Sequence, residues 1–470
     1  MKDGAMTIEE ESESTDLKLI SVEVSQLLGR FDHKVEFPIE LDFVILHGPN
    51  GIGKTKLLEL IEATFALDVY AISEIPFRSA VFTFSDGCIL FVERLGQEAL
   101  PGLSEEEASG ASFQMRLLQP GRGEIPWQPA ESSVESNIPA LARFLEKSDI
   151  PVRRMAAGRW RDIADGEILT TRELLGKYKH YLPSRALGIR VDDAPEEISE
   201  LLKSITVHLI ETQRLISLAT ANSRYGKEEK SQSTVLEFSK DFSRKLGDAL
   251  AQNSRVSQGL DRSFPRRLLS ETGLAPEITE ESIRSRYSQQ SEIRRRLTQI
   301  SVLDASGELP LPDRALEPWE KRVLWTYLND TEDKLDTFQY LLDRVALLRE
   351  IVNSRFLYKE LILDRDGFKV VTSTGKEIKA SQLSSGEQHE LVLTYDLLFN
   401  AGESSLVLID EPEISLHVTW QKEFLNDIVR IAAINSSRFI VATHSPQIIG
   451  KYWSQTIGLE PGYADEKLWR

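Results

Sequence analysis

Apolar residues along the chain follow two periods, and the change between them marks its organisation. Residues 17–24, 35–40 and 43–47 are short β-branched and aromatic runs, and the last passes through a glycine-containing loop into a pattern that predicts a helix over 54–66. The runs 80–84 and 88–93 meet at Asp86-Gly87, a hairpin signal. Gly, Pro, Ser and Glu dominate 95–137, which predicts irregular loops around one strand over 112–118, and short helical patterns alternate with turns over 160–182. Pro195 and the acids behind it open a helix after Asp193, and 205–210 reads as a buried strand.

Between 231 and 353 the spacing lengthens to three, four and seven. Val235, Phe238, Phe242, Leu246, Ala249, Val256 and Leu260 predict one long amphipathic helix; Leu324, Leu328, Leu335, Phe338, Leu342, Val345 and Leu348 predict another. Arms of about 35 residues would be about 50 Å long at 1.5 Å per residue. Phe264-Pro265 is expected to break or kink the first arm, and residues 307–312 interrupt the segment. A hairpin through Asp366-Gly367 follows, then an apolar helix over 390–399, a strand over 406–409, a helix over 418–434 and a strand over 439–443. The expectation is an α/β fold with a helical insertion: an acidic flexible tail over 1–16, a first lobe over 17–213, helical arms over 214–353 and a second lobe over 354–470.

Composition narrows the function. With 470 residues, 41% hydrophobic and 28% charged, the chain can bury a large core. It has no run of about 18 uncharged apolar residues and starts with acidic residues, so a soluble, cytoplasmic protein with no membrane partner is expected. Cys88 is the single cysteine, which excludes an intramolecular disulfide and a cysteine-based zinc site. A net charge of -18 argues against unspecific coating of nucleic acid, yet allows a local basic groove. Arg262, Arg266, Arg267 and Arg294 to Arg296 leave two readings open: a contact for DNA, RNA or an acidic partner, or a salt-bridged helix face.

Four stretches carry chemistry. Gly48-Pro49-Asn50-Gly51-Ile52-Gly53-Lys54-Thr55 matches the phosphate-binding loop: Asn50, Gly51 and Gly53 let backbone N–H groups close on phosphate oxygens, Lys54 reaches the β- and γ-phosphates of ATP, and Thr55 offers a hydroxyl to Mg²⁺. Asp410 and Glu411 close an apolar strand, where adjacent carboxylates are costly unless bound, so Asp410 is a candidate Mg²⁺ ligand and Glu411 a candidate for polarising the attacking water. Ser384, Ser385, Gly386 and Glu387 open a helix whose unpaired N–H groups and positive dipole end suit a terminal phosphate, with a capping box to fix the turn. His444 ends a strand in Ala442-Thr443-His444-Ser445.

Leu383-Ser384-Ser385-Gly386-Glu387 resembles the signature of ABC ATPases, and Glu387 is closer to the SMC and RecF branch than to transporters. Ile409-Asp410-Glu411-Pro412-Glu413-Ile414-Ser415-Leu416-His417 and Ala442-Thr443-His444-Ser445-Pro446-Gln447-Ile448-Ile449 are similar to SMC-like ATPases of the OLD and RecF kind and, within these, to ATPase subunits of two-gene anti-phage systems such as PARIS and Septu. The resemblance implies an ABC-type head with an antiparallel β-subdomain around 80–93, a switch role for His444, and a homo-oligomer in which one copy's signature covers another's ATP. By its place after a strand, Gln213 resembles the glutamine that joins the Mg²⁺ shell to the arms; a hinge glutamine with no ligand role is the other reading. His417 stands where SMC proteins usually carry Asp. About twenty residues follow Gly450, fewer than the ~50 of a small domain, so the nuclease that OLD proteins carry is expected on a separate chain, of Toprim or HNH type, under a phage-encoded trigger. A RecF-like DNA-repair ATPase is the alternative, and a transporter subunit fits poorly.

Overall fold

The computed structural model describes residues 17–95, 113–129, 145, 152–155, 159–163, 166–170, 174, 194–211, 234–270, 278–300, 302, 310–414 and 416–460. In chain order the strands β1 (Leu19–Leu27), β2 (Phe31–Glu36) and β3 (Phe43–His47) lead to helices α1 (Lys54–Phe65) and α2 (Val69–Glu74). Strands β4 (Ser79–Phe84), β5 (Ile89–Arg94), β6 (Phe113–Gln119) and β7 (Gly123–Trp127) follow, then β8 (Val152–Arg154), β9 (Arg159–Asp162) and β10 (Ile168–Thr170). After α3 (Glu196–Lys203) and β11 (Val207–Glu211) come the helices α4 (Thr234–Ser270), α5 (Glu280–Gln299), α6 (Pro318–Asp336) and α7 (Gln339–Arg355). The chain ends through β12 (Lys359–Asp364), β13 (Gly367–Thr372), β14 (Glu377–Ile378), α8 (Ser385–Phe399), β15 (Leu406–Asp410), α9 (Val418–Gln421), α10 (Phe424–Asn435), β16 (Arg438–Thr443), α11 (Pro446–Ile449) and β17 (Thr456–Gly458).

It divides into two compact units: Met1–Ile210 with Glu403–Pro412 and Ser436–Arg470, and Glu211–Gly402 with Glu413–Asn435. In the first unit a parallel layer has the order β11-β15-β16-β3-β17, and an antiparallel sheet has the order β2-β1-β4-β5-β6-β7. Alternation explains the second: in β4, Ala80, Phe82 and Phe84 are buried while Ser79, Val81 and Thr83 are partly exposed. α1 is rich in good helix formers, and Leu57, Leu58, Leu60 and Ile61 join one core with Phe82, Phe84, Leu90, Leu408 and Ile440. Each such fully buried side chain stabilises by roughly 1.5–3 kcal/mol relative to exposure.

In the second unit α4, with 37 residues, is the longest helix among the described residues. Its apolar face meets α8 and β13 in an aromatic cluster: Phe238 on Tyr395 at 5.0 Å, Phe242 on Phe368 at 5.9 Å, and Tyr395 stacked on Phe399 at 4.6 Å between centroids. Tyr395 Oη donates to Asp241 Oδ2 at 2.8 Å, which satisfies the hydroxyl that such a core would otherwise strand. β12, β13 and β14 form a small sheet beside it.

Several expectations are corrected. α4 continues through Pro265 to Ser270, so the proline does not end the arm. The second arm is two helices, because α6 stops at Asp336 and Phe338 caps α7; Phe338 is itself buried, so the apolar period runs on across the break. Residues 418–434 also split, into α9 and α10. β9 and β10 replace helical patterns expected within 160–182, and β7 lies where only loops were expected. The tail over 1–16 falls outside the described residues, as do 307–309 of the expected interruption.

Candidate nucleotide site

In the first unit β3 ends at His47 and the chain turns into the loop. Gly51 (φ +85°) and Gly53 (φ +93°) adopt left-handed backbone. At 53 a side chain would be strained and would also press on Leu27, whose Cδ2 lies 3.0 Å from the position of a Cβ. Gly53 is the N-cap of α1 and offers no side chain to its first N–H groups, an arrangement suited to an anion. Lys54 is buried at 4% exposure, and its Nζ donates to the carbonyls of Gly48 at 3.0 Å and Pro49 at 3.2 Å. Asn50 and Gly51 are exposed at the tip. Behind the loop, the buried ring of His33 stacks on Phe31 and places Nε2 2.8 Å from the Ile52 carbonyl.

β15 pairs with β16, and β16 with β3, all parallel. This register brings the acidic end of β15 to the loop: Thr55 Oγ1 donates to Asp410 Oδ2 at 2.7 Å, across 355 positions of sequence. Burial pushes the Asp410 carboxyl up to about 6, with Glu411 adding and the Thr55 hydroxyl and Lys54 opposing. A carboxylate that burial disfavours, joined to a hydroxyl, is a hard-oxygen pair that fits Mg²⁺. Glu411 takes φ +44° while its N–H donates to Ala442 O at 2.8 Å, so the chain bends sharply at the candidate base. His444 Nδ1 lies 3.7 Å from Glu411 Oε1. The structure therefore brings Gly51, Gly53, Lys54, Thr55, Asp410, Glu411 and His444 to the carboxyl ends of the neighbouring parallel strands β3, β15 and β16.

The signature lies in the second unit. Ser384 N-caps α8, with a capping box in which Glu387 Oε2 accepts from Ser384 N at 2.9 Å and Ser384 Oγ at 2.8 Å. Lys359 Nζ donates to both oxygens of the same carboxylate, at 2.9 and 2.8 Å. Burial raises the Glu387 carboxyl, but these hydrogen bonds overcome it and hold the group below its ordinary range. Gln213 lies outside the described residues. His417 serves as N-cap of α9, its Nδ1 accepting from Thr419 N at 3.4 Å, the place an Asp side chain would equally fill. His33 and Lys359 were not singled out from the sequence: each acts through a contact made by folding, and no local motif marks either.

The parallel sheet, the loop at the carboxyl end of β3 and the carboxylates beside it have the arrangement of a P-loop nucleotide-binding fold. The family described as "AAA domain, putative AbiEii toxin, Type IV TA system" matches residues 222–450, which include the signature, Asp410 and His444 and leave the 48–55 loop outside. The chain is similar to protein ea59 of Escherichia phage lambda, 27% identical over 129 residues, 27% of this chain and 24% of that protein. It is also similar to the retron Ec83 probable ATPase of Escherichia coli, 32% identical over 101 residues, 19% of this chain and 18% of that one. It thus spans under a quarter of the length of these curated relatives. Solved SMC head domains align with it at low similarity: that of Pyrococcus furiosus, with an extended coiled coil and bound to the C-terminal domain of ScpA, at 15% identity, TM-score 0.34, over 95% of this chain and 94% of that chain, and that of Thermotoga maritima at 10% identity, TM-score 0.32, over 94% of each. Among the described residues no helix is long and apolar enough to cross a membrane.

Proposed function

We propose that this chain binds ATP with Mg²⁺, hydrolyses it, and serves as the sensor and scaffold subunit of an anti-phage system, controlling a separately encoded effector nuclease through nucleotide-dependent assembly. The observation that carries the ATPase part is the 2.7 Å hydrogen bond from Thr55 to Asp410, which joins two motifs distant in sequence at one point. Asn50, Gly51, Gly53 and Lys54 hold the phosphates; Thr55 and Asp410 would hold Mg²⁺, which neutralises phosphate charge when bound. Glu411 orients and deprotonates the attacking water, and His444 beside it contacts the terminal phosphate or that water. Ser384, Ser385 and Gly386 complete the site of a second copy. In this reading 17–213 and 354–470 are the nucleotide lobes and 214–353 the inserted arms, with Gln213 at their junction.

The defence role draws on the toxin named in the matching family's description and on the retron ATPase, each a property of those proteins. The alternative, a RecF-like DNA-repair ATPase, needs a basic surface. Arg267 pairs with Asp330, Arg295 with Glu292 and Arg296 with Asp343, which favours the salt-bridged reading for these three arginines and counts against the alternative. The test is calorimetric and cellular. ATP binding should be lost in Lys54→Ala, together with phage protection by cells expressing the chain and its neighbouring gene. Unchanged affinity rejects the site, and wild-type cells that gain no protection reject the role.

A further inference from the structure

Ser384 offers one hydroxyl proton, and in this structure Glu387 Oε2 accepts it at 2.8 Å. A free carboxylate in the first turn of α8 would also repel any phosphate brought to that helix start, offsetting the attraction of the dipole. The carboxylate is not left alone: Lys359, the first residue of β12, reaches both its oxygens, and the pair is largely withdrawn from solvent, with side-chain exposures of 26% and 12%. The two preceding residues, Leu357 and Tyr358, are exposed, and Tyr358 holds a left-handed φ of +59°. A bulky residue in that conformation costs free energy and is kept only where its surroundings require it. Here the bend follows α7 directly and leads into the position from which Lys359 reaches the signature.

We propose that Lys359 is a positioning residue for the signature: its ammonium cancels the charge of Glu387, so that the Ser384 hydroxyl, its O–H bond intact, can turn its hydrogen bond from the carboxylate to a nucleotide phosphate. Glu387 is then part of the support of the signature and does not itself touch nucleotide. This rests on the proposed role of Ser384 at a second copy's ATP. Lys359 contributes a charge and an anchor, and the two are separable by mutation. Removing the ammonium leaves a bare carboxylate facing the phosphate; removing both charges relieves the repulsion.

The experiment uses the full chain. In Lys359→Met, kcat should fall roughly tenfold, the effect of losing a charge-assisted hydrogen bond. ATP affinity of the isolated chain, measured by calorimetry, should stay unchanged. Lys359→Arg should restore turnover, and the double variant Lys359→Met with Glu387→Gln should turn over faster than Lys359→Met alone, an outcome that mere loss of structure does not give. In a second arm without nucleotide, amide exchange read by mass spectrometry should rise in Lys359→Met over residues 384–388 and stay unchanged in α4. Normal turnover in Lys359→Met, or a double variant no better than the single, overturns the proposal. If the wild-type chain hydrolyses no ATP, the proposed function fails and the exchange arm alone decides: unchanged protection over 384–388 overturns the positioning role.

Discussion

Glu411 holds a positive φ at the end of a parallel strand, a conformation that a glutamate adopts only at a cost of about 1–3 kcal/mol. That strain, next to the Thr55–Asp410 hydrogen bond, singles out Glu411 from Glu413 as the group placed for chemistry. Glu411→Gln keeps the shape and removes the base, so ATP should stay bound while turnover drops roughly 10²–10⁴-fold; single-turnover hydrolysis checks it, and near-normal rates remove Glu411 from the mechanism. Glu387 supplies a pH prediction. Its folded value lies below the ordinary 4.5, so its stabilising contribution is present above that value and is lost as pH falls through the lower folded one. Amide protection over 384–388 should therefore persist at pH 5 and collapse further into acid, and in Lys359→Met the collapse should move to higher pH. The residue types at this site were legible because their chemistry sits in contiguous motifs. The strain at Glu411, the prop from His33 to Ile52 and the clamp from Lys359 were not, because each depends on backbone angles or on partners far along the chain.

At the scale of elements, α8 is pinned within the second unit by charges as well as by its aromatic face. Glu390, one turn beyond Glu387, pairs with Arg355 at the end of α7, and Arg355 also pairs with Asp427 of α10. All three are largely buried, and burial pushes the Asp427 carboxyl up against the pull of Arg355. Arg355→Met leaves Glu390 without its cation and Asp427 with Arg430 alone, 3.8 Å away, and should cost about 3–5 kcal/mol, while replacing Arg355, Glu390 and Asp427 by apolar residues of similar volume should cost much less; urea midpoints of the variants compare the two. Gly367 is a second constraint. It turns β12 into β13 at φ +108°, and a Cβ there would stand 2.7 Å from the carbonyl of Ser239 on α4. Gly367→Ala should destabilise by about 2 kcal/mol or more, and a midpoint within error of the wild type would show that α4 yields at that point. The hairpin itself was readable from Asp366-Gly367, whereas the close approach of α4 was not. The break between α6 and α7 escaped a reading of periodicity for a related reason: Phe338 keeps an apolar residue at the expected position while Thr337 ends one helix and Phe338 starts the next.

For the whole molecule the decisive property is that the signature helix starts with a capping box and carries no phosphate loop of its own, which in the proposed function means that hydrolysis needs a second copy. Ser384→Arg should leave ATP binding to the single chain intact, since the Lys54 loop is untouched, and should abolish both ATP-dependent association and turnover. The charge of the chain adds a further discriminating condition. Two copies, each with a net charge of -18, repel one another, and that repulsion is screened as the Debye length shrinks from about 30 Å at 0.01 M salt to about 10 Å at 0.1 M. ATP-dependent association of the wild type should therefore strengthen as salt rises over this range. Assembly bridged by nucleic acid would weaken instead, because displaced counterions oppose binding to phosphates as salt increases. Sedimentation of nuclease-treated protein with ATP, at both salt concentrations and over a range of protein concentration, separates the cases. A wild-type specific activity independent of protein concentration, or a Ser384→Arg variant that still hydrolyses at the normal rate, would falsify the shared site.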